Sequence, residues 1–241
     1  MAALRGLFPF FAIALVALAP GAAADSSTEV DVQLILAADV SGSMSIEELT
    51  LERDGYVAAF RNREVVNAIL DGPIGRIAVT YVEWAGPGQQ RVVIPWTALA
   101  DEAAIAAFAT RLAEAPLARG SRTALSSALL FSAKLFATSN FTAPRRAIDV
   151  SGDGVSDAGP PVAATREAVL ALGITINGLS VSRPPDRGPF AAAFGAAPTD
   201  IHVYYRDEVI GGPGAFAIAI DSLDQFPAAI RRKLVLEIAM R

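Results

Sequence analysis

Short apolar runs of β-strand type alternate with longer segments of helical spacing along most of this chain, and the alternation limits the folds that it can adopt. Strands separated by helices of about 10–15 residues are typical of βαβ units, in which neighbouring strands run parallel. The run 32–38, VQLILAA, is apolar at nearly every position, as expected for a strand that is buried on both faces. We therefore predict an α/β fold with a doubly wound, mostly parallel sheet.

The pattern predicts a six-stranded sheet flanked by helices, with one antiparallel edge strand. Residues 76–84 and 91–96 are separated by Gly-Pro-Gly, which favours a hairpin, and Pro95 is typical of an edge position. The predicted strands are 32–38, 76–84, 91–96, 145–150, 174–180 and 216–220. The predicted helices are 46–69, 101–112, 124–137, 160–172, 200–209 and 223–239.

The first 24 residues have the pattern of a cleaved export signal. Arg5 precedes the apolar run 7–19, a Pro-Gly pair ends that run, and three alanines then offer a cleavage site. The run is shorter than the roughly 20 apolar residues that a transmembrane helix needs. We predict a signal peptide over 1–24, one domain over 25–241, and a secreted or periplasmic protein without a membrane anchor in the mature chain.

Charge and cysteine content exclude several classes of partner and site. The chain has 20 Lys and Arg against 25 Asp and Glu, a formal net charge of −5, and no cysteine. An acidic balance disfavours nucleic acid as a partner, because binding to phosphates requires clustered basic residues. Without cysteine there are no disulfides and no thiolate metal ligands, so an exported domain of this kind relies on core packing.

Oxygen-bearing side chains follow the strand 32–38 at alternate positions. Asp39, Ser41 and Ser43 supply one carboxylate and two hydroxyls, which are hard donors that suit Mg²⁺, Mn²⁺ or Ca²⁺ better than zinc. The alternative is a helix N-terminus, because Ser45 followed three residues later by Glu48 is a capping-box pattern. A cap accounts for Ser45 and leaves Asp39 and Ser41 unexplained.

Two further candidate ligands come from other loops. Asp153 follows the strand 145–150, and Thr123 stands directly before the helix 124–137. In doubly wound sheets, ligands bind beyond the carboxyl ends of the strands, so we expect these loops to lie near Asp39. The ordinary alternatives are a helix cap at Thr123 and a turn at Asp153-Gly154.

Taken together, D-x-S-x-S after a buried strand, a Thr before a mid-chain helix and an Asp-Gly after a later strand resemble the metal-ion-dependent adhesion site (MIDAS) of von Willebrand factor A (vWA) domains. The stretches VEWAGPGQQRVVIPW, RRAIDVSGDG and ITINGLS are similar to a bacterial A-domain-like family of unknown function. The resemblance implies a Rossmann-like vWA fold and a bound cation, Mg²⁺ with Mn²⁺ or Ca²⁺ as alternatives. The metal ligands that it implies are Asp39, Ser41, Ser43, Thr123 and Asp153, with Asp153 often acting through water in the family.

The donor set indicates what such a site would bind. Two carboxylates and three neutral hydroxyls leave Mg²⁺ short of one strong anionic ligand, and an Asp or Glu of a partner protein can complete its octahedral shell. We therefore predict an adhesion-type protein–protein interaction module that needs no catalytic base. The chain departs from the family pattern at Arg122, where glycine-rich sequence is usual, and at Gly152, where Thr is frequent; neither change removes an expected direct ligand.

An enzyme is the competing class, and its best candidate is a metal-dependent hydrolase or phosphatase that uses Asp39 and Asp153. A serine hydrolase is disfavoured because there is no G-x-S-x-G elbow, and His202, the only histidine, is predicted to be an ordinary surface or packed residue. No P-loop is present, and a dinucleotide-binding glycine pattern fails at Asp157.

Aromatic and acidic residues elsewhere are given structural roles. Glu83 and Trp84 are predicted to be a solvent-facing strand end, and the pair Tyr204-Tyr205 is predicted to be structural.

Overall fold

The computed structural model describes residues 27–182 and 200–240. The predicted signal peptide over 1–24 lies outside these residues, as does 183–199. No helix within the two described ranges is long and apolar enough to cross a bilayer.

The described residues form a six-stranded sheet with helices on both faces and a separate two-stranded ribbon. The strands are β1 (Thr28–Glu29), β2 (Gln33–Asp39), β3 (Ile77–Trp84), β4 (Gln90–Leu99), β5 (Phe141–Thr142), β6 (Arg146–Gly152), β7 (Thr175–Val181) and β8 (Ala217–Ile220). The helices are α1 (Ile46–Phe60), α2 (Arg63–Leu70), α3 (Glu102–Glu114), α4 (Leu125–Ala137), α5 (Val162–Leu170), α6 (Ile201–Tyr204) and α7 (Phe226–Ala239).

The strand order of the main sheet confirms the predicted architecture. The order is β4-β3-β2-β6-β7-β8, in which β3 and β4 are antiparallel and the remaining neighbours are parallel. β4, which contains Pro95, lies at one edge, as its proline indicates. After β2 the chain adds β3 and β4 on one side of that strand, and it then crosses over to add β6, β7 and β8 on the other side. β2 and β6 therefore flank the topological switch point.

The sequence pattern misplaces several element boundaries. The predicted helix 46–69 is two helices, because Asn62 adopts an extended conformation and its side chain accepts a hydrogen bond from the amide of Glu64. The segment 200–209 is α6 followed by a π-helix (Tyr205–Val209), and a 3₁₀ turn (Leu223–Gln225) precedes α7. The ribbon of β1 and β5 was not predicted, because two-residue strands leave no periodic pattern.

Alternate residues of β2 enter two separate cores, which explains why the strand is apolar throughout. Leu34 and Leu36 pack with residues of α1 and α7, whereas Ile35 and Ala37 pack with residues of α4. Every residue of β2 is buried, including Asp39 at its end. The strand therefore gives the loop that follows it a rigid starting point.

Candidate metal centre

The first loop of the candidate site begins at Asp39, the last residue of β2, whose side chain is fully buried. The amide of Ser41 donates a 2.7 Å hydrogen bond to Oδ1 of Asp39. The hydroxyls of Ser41 and Ser43 lie 2.8 Å apart. Hydrogen bonds within the first loop thus link Asp39, Ser41 and Ser43 to one another.

The third loop, which follows β6 and contains Asp153, contacts the first loop directly. Asp153 follows the end of β6, the strand that pairs with β2, and its Oδ1 accepts a 2.7 Å hydrogen bond from the hydroxyl of Ser43. The parallel pairing of β2 with β6 is the cause, because it brings the carboxyl ends of both strands to the same edge of the sheet.

The second loop, which precedes α4 and contains Thr123, is held against the third loop by Asp157. The amide of Thr123 donates to Oδ1 of Asp157 at 2.9 Å, and the amide of Asp157 donates to the carbonyl of Thr123 at 2.8 Å. A Cβ built on Gly154 would lie 3.9 Å from Oγ1 of Thr123, so that hydroxyl faces the third loop. All five predicted ligands therefore lie on three loops that contact one another at one edge of the sheet.

Arg122 of the second loop also contacts the third loop. Its Nη2 donates a 2.6 Å hydrogen bond to the carbonyl of Asp157, and its backbone has a φ of 64°, a left-handed conformation that side-chain-bearing residues rarely adopt. The departure from glycine-rich sequence at this position thus coincides with a strained residue whose side chain ties the second loop to the third.

The sequence also offered helix caps at Ser45 and Thr123, and of these two residues only Ser45 is a cap. Ser45 caps α1 with a full capping box, in which its hydroxyl accepts from the amide of Glu48 and its amide donates to the Glu48 carboxylate. Thr123 does not cap α4. The N-cap of α4 is Ala124, and the amide of Leu125 donates instead to the hydroxyl of Ser156.

The electrostatics of the site favour a proton or a cation. Burial raises the pKa of Asp39 well above its usual value, and the charge of Asp153 raises it further. Burial likewise raises the pKa of Glu52 on α1 to about 7, an effect that the hydroxyl of Ser151 partly offsets by donating to this carboxylate. The charge of Asp153 thus adds to the raised pKa of both buried carboxyl groups, and a divalent cation there would stabilise their ionised forms.

Two buried polar atoms at the site are consistent with a bound cation there. Oδ2 of Asp39 and the hydroxyl of Tyr205 are buried without a hydrogen-bond partner among the residues that the structure describes. Within 27–182 and 200–240, no group of three or more His, Cys, Asp and Glu side chains is placed to hold a metal. A cation at this centre would therefore depend on two carboxylates and on hydroxyl oxygens, a donor set that suits Mg²⁺, Mn²⁺ or Ca²⁺.

The prediction that Glu83 and Trp84 form a solvent-facing strand end is wrong. Glu83 is only 2% exposed, because its carboxylate lies between Arg53 of α1 and Arg91 of β4, with 2.6 Å between Arg91 Nη2 and Glu83 Oε2. Trp84 is fully buried, and its indole donates a 3.1 Å hydrogen bond to the carbonyl of Ala37.

Glu52 and Tyr205 are the neighbours of the site that sequence reasoning missed. A usable signal existed for Glu52, since it falls on the apolar stripe of α1 that contains Leu49 and Tyr56 and is therefore buried. Tyr205 gave no such signal, because its position depends on how the segment after 200 folds back onto the sheet.

His202 lies between a serine and an aspartate. Its Nδ1 is 2.7 Å from the hydroxyl of Ser180, and its Nε2 is 3.1 Å from Oδ1 of Asp221. Ser180 is fully buried, whereas the side chain of Asp221 is 79% exposed. A serine nucleophile must reach its substrate, and the full burial of Ser180 argues against that role here.

Comparison with known families identifies the chain. Residues 29–241 match the family model described as "Protein of unknown function (DUF1194)". The chain belongs to the DUF1194 family. No curated protein matches it.

Solved structures similar to this DUF1194 protein share its fold. Proximal thread matrix protein 1 from the mussel byssus has a TM-score of 0.62 at 13% identity, covering 88% of this chain and 49% of that chain. A von Willebrand factor type A structure from Catenulispora acidiphila has a TM-score of 0.52 at 16% identity, covering 86% and 42%. The vWF domain of the type V pili tip protein Mfa5 from Porphyromonas gingivalis has a TM-score of 0.53 at 13% identity, covering 88% and 97%.

The likeness shows that the DUF1194 domain has the Rossmann-like vWA fold, as the sequence resemblance implies. At these identities it shows the fold alone, and the chain spans about half the length of the mussel protein. Another structure of that mussel protein contains a zinc-occupied MIDAS motif.

Proposed function

We propose that this DUF1194 protein is an exported module that binds a divalent cation at Asp39, Ser41, Ser43, Thr123 and Asp153, and that the cation holds an acidic side chain of a partner protein. The observation that carries the proposal is the direct contact between the loops after β2 and β6, where Ser43 donates to Asp153. The zinc-occupied MIDAS of the mussel relative supports a cation on this fold.

The proposed roles of the side chains follow from their charge and position. Asp39 is buried and supplies the main negative charge, while Ser41, Ser43 and Thr123 contribute neutral oxygens. Asp153 accepts a hydrogen bond from Ser43, and the resemblance to vWA domains implies that it contacts the cation through water. The resemblance implies Mg²⁺, with Mn²⁺ and Ca²⁺ as alternatives that the same oxygen set suits, and a bound cation would supply an electropositive position for a partner's carboxylate.

The adhesion-type role is supported by the similar structures, which include a byssus matrix protein and a pilus tip domain. Export is supported by the signal-like sequence over 1–24 and would place the protein in the periplasm or outside the cell. The alternative role is a metal-dependent hydrolase or phosphatase that uses Asp39 and Asp153, and the byssus and pilus proteins among the similar structures favour the adhesion-type role over it.

Binding of a partner carboxylate can be tested with Mn²⁺ as a paramagnetic probe. The protein is loaded with Mn²⁺, and water proton relaxation is followed while a Glu-containing peptide or its Gln-containing counterpart is added. Displacement of metal-bound water by the carboxylate predicts a fall in relaxation enhancement with the Glu peptide alone. Equal responses to the two peptides would contradict the proposed recognition of an acidic group.

A further inference from the structure

The phenol of Tyr205 lies beside the proposed metal centre, at the end of the sheet. A Cβ built on Gly152 would lie 2.6 Å from the Tyr205 hydroxyl, 3.0 Å from Oδ2 of Asp39 and 3.4 Å from Cζ2 of Trp84. The phenol oxygen and the carboxylate oxygen therefore flank the same small space next to Gly152. Any side chain at position 152 would fill that space, so the glycine is what lets the phenol approach Asp39.

Both of these oxygens lie in the interior without a partner. Tyr205 and Asp39 are fully buried, and neither the hydroxyl nor Oδ2 has a hydrogen-bond partner among the described residues. An unpaired buried polar group is destabilising, and such groups in native proteins call for an explanation. A hydrogen bond from the phenol to the carboxylate would supply that explanation, because a hydroxyl donor and a carboxylate acceptor are chemically complementary.

The protonation state of Tyr205 suits a donor. A tyrosine hydroxyl ordinarily loses its proton only near about pH 10. The phenol therefore stays protonated at physiological pH, and its O–H can donate to an anionic oxygen.

The backbone around Tyr205 is tied to the site as well. Tyr205 begins the π-helix, in which the amide of Ile210 donates to the Tyr205 carbonyl at 3.0 Å, and single π-helical turns are frequent at functional sites. The neighbouring Tyr204 hydroxyl accepts a 3.3 Å hydrogen bond from the amide of Ser156 in the third loop. The segment thus contacts the third loop through one tyrosine and the space beside Asp39 through the next.

We propose that Tyr205 is a positioning residue of the metal centre: in the cation-loaded protein its hydroxyl donates to the Asp39 carboxylate, directly or through one water, and fixes the orientation of that carboxylate toward the cation. This inference rests on the proposed function. Removing an outer hydrogen-bond partner of a metal ligand typically weakens metal binding about 10–100-fold.

The test compares Tyr205→Phe with the matched variant Tyr204→Phe by calorimetric titration with Mg²⁺ and Mn²⁺, and by unfolding in chelator. For Tyr205→Phe we expect at least about tenfold weaker binding, with a metal-free unfolding midpoint that is unchanged or higher because an unpaired hydroxyl is lost. For Tyr204→Phe we expect a lower midpoint, because a hydrogen bond is lost, and a smaller change in affinity.

The outcomes separate this inference from the proposed function. If wild type binds metal, Asp39→Ala does not, and Tyr205→Phe binds as tightly as wild type, the role of Tyr205 is overturned and the metal centre stands. A lower metal-free midpoint of Tyr205→Phe with unchanged affinity would assign it a packing role and also overturn the inference. Absence of binding by wild type would overturn both.

A second pair of variants tests the shared space without metal. Gly152→Ala should lower the unfolding midpoint in chelator, and by less in a Tyr205→Phe background, where the clashing hydroxyl is gone. Equal losses in the two backgrounds would mean that the phenol oxygen does not occupy the space beside Gly152, which would contradict the inference.

Discussion

The hydroxyl of Ser43 donates a 2.7 Å hydrogen bond to the carboxylate of Asp153, although the two residues are 110 positions apart in the chain. Ser43→Ala removes both this link between the first and third loops and one proposed ligand. We expect a loss of about 1 kcal/mol in the free energy of unfolding in chelator, and a larger loss at saturating Mg²⁺. Denaturant unfolding under both conditions measures the two losses, and equal values would remove Ser43 from the proposed ligands.

Ser45 provides a control two residues away in the same loop. Ser45→Ala deletes the capping box of α1, which should lower the free energy of unfolding by about 1 kcal/mol. Because Ser45 is not among the proposed ligands, the loss should be the same with chelator and with Mg²⁺. A loss that grows on adding Mg²⁺ would mean that the cap and the metal centre are not separable.

Glu52 should make the metal-free protein less stable as pH rises. Its pKa is about 7 in the folded protein, against 4.5 for an unperturbed glutamate, so the folded state holds the proton more tightly than the unfolded state. The resulting stabilisation is fully present below pH 4.5 and is lost as pH rises through 7, amounting to about 3 kcal/mol. Glu52→Gln should flatten this part of the curve of unfolding free energy against pH in chelator. A variant curve parallel to that of wild type would contradict the prediction.

The ion pairs of Glu83 should matter unequally. Glu83→Ala leaves the buried guanidinium of Arg53 without its carboxylate, which should cost about 3–5 kcal/mol in the free energy of unfolding. Arg91→Ala removes a cation whose side chain is 47% exposed, and should cost less than about 1 kcal/mol. Similar losses from the two variants, measured by denaturant unfolding, would show that the contact with Arg53 is not the important one.

The parts of the fold that could be predicted from sequence are those with a local signature. β2 is buried on both faces and therefore has a continuous apolar run in the sequence. Asp39 marks the end of that run and is the last residue of the strand. The approach of Asp153 followed from the topology of parallel sheets alone. The break between α1 and α2 was missed because helical spacing continues through Asn62 without a Gly or Pro to mark it.

The parts that could not be predicted depend on contacts between distant segments. Glu83 looked like a surface residue because its partner Arg53 lies on a helix 30 residues away. The place of Tyr205 beside Gly152 depends on how a segment more than 50 residues further along folds over the end of the sheet. Neither hydrophobic periodicity nor a short motif records such pairings, so they become visible only in the folded chain.

Calorimetric titration of Mg²⁺ into the protein, with Asp39→Ala as the variant and Ser45→Ala as the structural control, tests the central claim most directly. We predict a saturable binding heat for wild type and for Ser45→Ala, and none for Asp39→Ala provided that it remains folded by circular dichroism. The same heat from wild type and folded Asp39→Ala, or no heat from wild type with either Mg²⁺ or Mn²⁺, would contradict the metal centre.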